Sequence, residues 1–118
     1  MGGKMYENEK KLYEAKAHIL KALAHPTRLY MAEQLLHGEK CVCEFVREID
    51  ADISTISKHL SILKEAGIVS DEKRGKQVFY HLKTPCILQF TECAVDIIKS
   101  NLKERSSLMT RIQVEKET

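Results

Sequence analysis

The sequence predicts a mainly α-helical fold carrying one small β-hairpin, and three observations point there. Apolar residues recur at helical spacing through much of the 118-residue chain. Two short helical segments in its middle are followed at once by two β-prone runs around a glycine. Beyond them Thr84-Pro85 opens a last helical stretch, with threonine suited to cap and proline to the first helical position.

Taken in order, a first helix is expected over about Glu9–Leu23, where Leu12, Ala15, Ile19, Leu20 and Leu23 share a stripe. His25-Pro26-Thr27 interrupts it, because proline cannot continue the hydrogen-bond ladder. A second helix over Arg28–Leu36 ends at Gly38, and a short third covers about Val42–Ile49. Asp52 then caps a helix that runs to Gly67, with Ile56, Leu60, Leu63 and Ala66 inward and Ser54, Thr55, Ser57, Lys58 and His59 largely outside that stripe. The runs Ile68–Asp71 and Val78–Leu82 flank Lys73-Arg74-Gly75-Lys76, a hairpin with a basic tip. The last helix is expected over about Cys86–Lys103, and the polar tail 104–118 either prolongs it or frays. Residues 1–103 thus read as one domain, with no internal repeat or low-complexity linker.

Composition narrows the classes. A hydrophobic fraction of 43% and a charged fraction of 31% are those of a soluble globular chain. With no signal peptide and no apolar run near the roughly 18 residues a membrane span needs, the expected location is cytoplasmic, without a membrane partner. Reduced thiols are then expected of the four cysteines, and short spacing between thiols suggests metal or redox chemistry. No glycine-rich phosphate loop and no Ser/His/Asp arrangement stands out, and Cys-x-Cys is not the Cys-x-x-Cys of thiol oxidoreductases, so an enzyme is not expected. The net charge of +2 hides an uneven distribution, since residues 53–83 hold six Lys/Arg against three acids. Such a surface suits a phosphate backbone, although charge alone would equally mark a solvated face.

Two short helices joined by a tight turn and followed by a basic-tipped hairpin make a winged helix-turn-helix, whose second helix enters the major groove. Ser54, Thr55, Ser57, Lys58 and His59 would face the groove there, while Lys73, Arg74 and Lys76 would reach phosphates or the minor groove. A module using the same surface for protein contacts alone would lack the salt dependence of DNA binding.

Residues Leu20–Leu82 resemble the arsenical-resistance and metal-sensing repressors of the ArsR/SmtB family. The resemblance rests on Leu23-Ala24-His25-Pro26-Thr27-Arg28-Leu29, on Cys41-Val42-Cys43-Glu44-Phe45, on Ile56–Val69 and on the Gly75–Tyr80 wing. It implies a homodimer built from the first and last helices, bound to an imperfectly palindromic DNA operator and released by an inducer. It also implies a structural role for Arg28. The chain departs from many relatives in carrying Ile53 where they have glutamine early in the recognition helix, which leaves base readout there open.

Cys41 and Cys43 occupy the place of the pair that senses arsenite in relatives. In a regular helix residues i and i+2 point about 200° apart, so joint chelation needs a first turn that is distorted or still extended. Trivalent arsenic or antimony takes three thiolates, and Cys86 and Cys93 are the candidates for the third, from the same or the partner chain. Those two lie roughly 10.5 Å apart along a helix at about 1.5 Å rise, too far to share one ion within a chain. Cys93, on the stripe Cys86–Phe90–Cys93–Ile97, also reads as a small buried apolar residue. Four thiolates would equally suit cadmium or zinc, although the Asp-x-His of the family's interfacial zinc site is absent from the last helix. A thiol–disulfide switch is the third reading, and no obligatory cofactor is expected.

Overall fold

The structure, a computed structural model, describes the backbone of residues 2–117 and the side chains of residues 6–111. The chain divides after Pro85 into two units. The first holds helices α1 (Gly2–Leu23) and α2 (Pro26–Leu35), strand β1 (Lys40–Cys41), helices α3 (Val42–Glu48) and α4 (Ile53–Glu65), and strands β2 (Val69–Arg74) and β3 (Gln77–Leu82). The second is helix α5 (Cys86–Glu117).

Several boundaries in the first unit have a local cause. Pro26 sits in the first turn of α2, where a missing N–H costs nothing, and the His25 imidazole caps that turn by accepting from Thr27 N at 3.1 Å. Asp52 caps α4, its Oδ1 accepting from Thr55 N at 2.8 Å. At the far end of α4, Gly67 takes a φ of 83°. There Gly67 N donates to Lys64 O and Ile68 N to Leu63 O, each at 3.0 Å, the paired bonds of a Schellman cap. Leu63 and Ile68 are both buried, which supplies the apolar contact that goes with this cap. Gly75, with a φ of 63°, opens the two-residue turn between β2 and β3, a position where a positive φ matches the twist of a hairpin.

Met31, Ala32 and Leu35 of α2, Phe45 of α3, Ile56, Leu60 and Leu63 of α4, and Val69 and Tyr80 of the sheet are all buried. The spacing 56, 60, 63 is the inward stripe expected for α4. The sheet is antiparallel in the order β1-β3-β2, with Cys41 opposite Phe79 and Phe79 opposite Glu72.

Three features differ from the sequence expectation, and one open alternative is resolved. Helix α1 begins at Gly2 rather than near Glu9, since Lys, Met and Glu favour helix without an apolar stripe to announce it. Strand β1 was not expected; two residues carry no alternation, and only pairing with β3 makes them a strand. The hairpin reaches Arg74 and Gln77 because cross-strand register carries it through charged residues of low strand preference. Of the two possibilities for the tail, α5 continues as one helix through residues 104–117. Among the described residues, no helix is long and apolar enough to cross a membrane.

Large apolar side chains remain exposed on two helices. On α1 these are Tyr6, Leu12, Tyr13, Ile19 and Leu20, three of which belong to the stripe expected along that helix. On α5 they include Phe90, Val95, Ile97, Ile98 and Leu102.

Candidate nucleic-acid interface and thiol pair

Helix α4 presents a polar face opposite its buried stripe. Ser54, Thr55 and Lys58 are exposed, and Ser57 is half-buried. The Ser54 hydroxyl also donates to Asp52 Oδ1 at 3.0 Å, so it helps order the first turn. Hydrogen bonds from Thr55 and then Ser54 hold the Asp52 carboxyl below its ordinary pKa. The cap is therefore complete while the carboxylate is charged, above the unfolded pKa of about 4, and is lost as pH falls through the lower folded value. Asp52→Asn is expected to lower the thermal midpoint at pH 7, and the difference from wild type should vanish near pH 2 in melts followed by circular dichroism.

His59 occupies a different environment from its neighbours. It is half-buried at the flank of α4, its ring 4.6 Å from that of His25. Arg28 donates from Nη1 to His59 Nδ1 at 3.3 Å and from Nε to Ala22 O at 2.6 Å. Arginine has no acceptor, so Nδ1 must be the unprotonated nitrogen of a neutral ring. Burial first, then the neighbouring His25, Arg28 and Lys58, lowers the His59 pKa and favours that state. Arg28 thereby ties the end of α1 to α4.

The hairpin tip separates three basic residues by environment. Lys73 and Lys76 are exposed. Arg74 donates to both carboxylate oxygens of Glu39, at 2.6 and 2.9 Å, and to Glu72 at 2.9 Å. Its guanidinium lies 4.8 Å over the ring of Phe79. His81 completes the group with Nε2 3.3 Å from Glu39 and 3.7 Å from Glu72. The Arg74 hydrogen bonds lower the pKa of both glutamates and raise that of Arg74.

Cys41 and Cys43 are joined as a disulfide, with Cα atoms 5.3 Å apart. They meet because Cys41 is still strand, at φ −85° and ψ 163°, while Cys43 has entered the first turn of α3. Of the two conformations that would let the sulfurs converge, the chain uses the extended one. The pair is asymmetric, with Cys41 only 3% exposed and Cys43 open to solvent. Cys86 and Cys93 are free and, in the single chain, exposed on α5, as are Phe90 and Ile97 beside Cys93. Among the described residues no three His, Cys, Asp or Glu side chains gather into a metal site.

Residues 25–71 match the family model described as bacterial regulatory protein, arsR family. An uncharacterized HTH-type transcriptional regulator of Methanocaldococcus jannaschii is 45% identical over 71 residues, covering 59% of this chain and 80% of that protein. The chain belongs to the ArsR family. Its winged helix-turn-helix is shared with the crystal structure of the transcriptional repressor BigR from Xylella fastidiosa, at a TM-score of 0.65 and 34% identity over 77% of this chain and 93% of that one. The cadmium resistance transcriptional regulatory protein CadC of Listeria innocua is 40% identical over 77 residues, which span 64% of this chain but 65% of CadC. ArsR-family winged helices are DNA-binding transcriptional regulators, and this placement agrees with the order of elements read from the sequence.

Within this ArsR-family fold, sequence reasoning missed the Arg74–Glu39 pair and the role of β1. The partners are 35 positions apart, and nothing local signals that they meet.

Proposed function

We propose that this ArsR-family protein is a homodimeric repressor that leaves an imperfectly palindromic operator when a thiophilic inducer, arsenite or antimonite first, binds at Cys41 and Cys43. The convergence of one buried and one exposed cysteine at the start of α3 carries this reading. Once reduced, the pair offers two thiolates to one ion, with Cys43 as the point of entry. A pyramidal metalloid needs a third thiolate, and Cys86 and Cys93, both exposed, are the candidates. Only Ile49–Asp52 separates α3 from α4, so a ligand that reshapes the first turn of α3 acts close to the recognition helix. The exposed apolar rows of α1 and α5 support dimerisation through those two helices.

The sulfur–sulfur bond itself favours a second reading, a redox switch. Here the two thiols give up two electrons and two protons to an oxidant such as a peroxide, and the disulfide form is the one that leaves DNA. Cadmium or zinc would use the same thiolates, and the relative CadC is named for cadmium resistance.

On the DNA side, Ser54, Thr55, Ser57 and Lys58 face the major groove, and Lys73 and Lys76 meet phosphates. His59 contributes by holding α4 on Arg28. Glu39 competes with phosphate for Arg74. Glu72 holds the same guanidinium, so freeing Arg74 takes Glu39→Gln together with Glu72→Gln, which should steepen the log–log salt dependence of DNA affinity by about one. An unchanged slope in a fluorescence-anisotropy titration would remove Arg74 from the phosphate-binding set.

The three-thiolate reading is tested by titrating arsenite into the reduced protein–DNA complex of wild type, Cys86→Ser and Cys93→Ser. One of the two variants should bind DNA as wild type does yet release it only at much higher arsenite. If both release like wild type, neither cysteine is the third ligand. If arsenite has no effect and peroxide releases all three, the redox reading replaces the metalloid one.

A further inference from the structure

Ile53 is the first residue of α4 and is 64% exposed. The other large exposed apolar residues among those described lie on α1, on α2 and its C-cap Leu36, and on α5. From β1 to the end of the wing, then, a single large apolar side chain is left in water, and it stands at the tip of the recognition helix. Its surroundings are polar, with Ser54, Thr55 and Lys58 exposed on the same helix and the Asp52 carboxylate engaged by the cap of the first turn. An apolar protein partner would leave Lys58 desolvated, whereas a polyanion accommodates both the lysine and the hydroxyls.

The backbone that carries Ile53 is well held. The Asp52 cap orders the first turn through Thr55 N and the Ser54 hydroxyl, and Ile56 one turn later is fully buried. Isoleucine is also stiff at χ1, so little side-chain freedom is lost when it is covered. In the major groove the apolar feature of a base edge is the 5-methyl group of thymine; the other features are hydrogen-bond donors and acceptors that isoleucine cannot use. The N-terminal residues of a recognition helix are the ones that reach base edges.

We propose that Ile53 is a specificity-determining residue that packs on a thymine 5-methyl group in each half-site, so that one position is read by apolar contact rather than by hydrogen bonds. The proposal rests on the DNA-binding reading above and adds which base chemistry α4 selects.

The test removes the methyl without altering base pairing. Sequences bound by the reduced full-length protein are first selected from a random duplex library. Each conserved thymine is then replaced by deoxyuridine, and affinities are measured for wild type, Ile53→Val and Ile53→Ala. At one thymine per half-site, wild type and Ile53→Val should lose about three- to five-fold per methyl removed. Ile53→Ala should bind the thymine duplex more weakly and respond far less to the same replacement. Equal sensitivity of wild type and Ile53→Ala at every thymine, or no sensitivity in either, overturns the proposal. Failure to select any sequence overturns the repressor reading and this inference with it. A selected sequence without methyl dependence overturns only the role of Ile53.

Discussion

Cys43→Ser is expected to keep the reduced protein on its operator at arsenite concentrations that fully release wild type. Cys43 is the exposed member of the pair, so a hydroxyl there leaves the buried neighbourhood of Cys41 untouched. DNA affinity without inducer should stay within a few-fold of wild type. Two thiolates held on one short segment act on an ion with a high effective concentration, and deleting one should weaken the complex by about 100-fold or more. The same variant cannot close the Cys41–Cys43 bond, so peroxide should lose its effect as well if the redox reading holds. Cys41→Ser is a less clean probe, because it places a hydroxyl at a site only 3% exposed and so also disturbs the fold. Electrophoretic shift of operator DNA across an arsenite series reads the result directly. Release of Cys43→Ser at the wild-type concentration would show that the pair is not the inducer site.

Phe45→Ala should produce the largest loss of stability. Phe45 is fully buried and is the one buried side chain of α3. A helix of 7 residues cannot persist on its own propensity, so its burial against the rest of the unit decides whether it forms. Truncating a buried phenylalanine costs about 3–5 kcal/mol, a large share of the roughly 5–15 kcal/mol that holds a domain folded. Lys40 also rests over the Phe45 ring, 5.8 Å from its centroid, and pairs with Glu48 at the far end of α3. Loss of the ring should thus loosen both ends of the segment that carries the cysteines. Urea unfolding followed by circular dichroism should show a sharply lowered midpoint. A shift worth under about 1 kcal/mol would mean that α3 is anchored by something other than this side chain.

Much of the first unit was legible because its signals are local. Asp52 before an apolar stripe at 56, 60 and 63, Gly67 at the end of that helix and Gly75 between β-prone runs each specify a conformation within a few residues. Where the determinants are distant, the sequence was silent. Strand β1 exists through its pairing with Phe79 and Tyr80, and Arg74 reaches a carboxylate on the loop before β1. His59 followed the same rule, since its spacing suggested a groove-facing side chain while Arg28, 31 positions away, engages it. At α1 and α5 the apolar spacing left the covering partner open. Leu12, Ile19, Leu20, Phe90 and Ile97 form helical stripes yet stay exposed in the single chain. A stripe says that a face seeks cover, and it does not say whether the cover comes from the same chain or from another.

In the proposed mechanism this protein holds DNA in the reduced state, and chemistry at Cys41 and Cys43 ends that hold. The most direct test is a binding titration of the reduced protein on the DNA upstream of its own gene, alone and with arsenite, antimonite, cadmium, zinc or peroxide. Tight, salt-dependent binding is expected, which arsenite or antimonite abolishes in wild type and fails to abolish in Cys43→Ser. Binding that none of these agents weakens, or weakens equally in the variant, would contradict it.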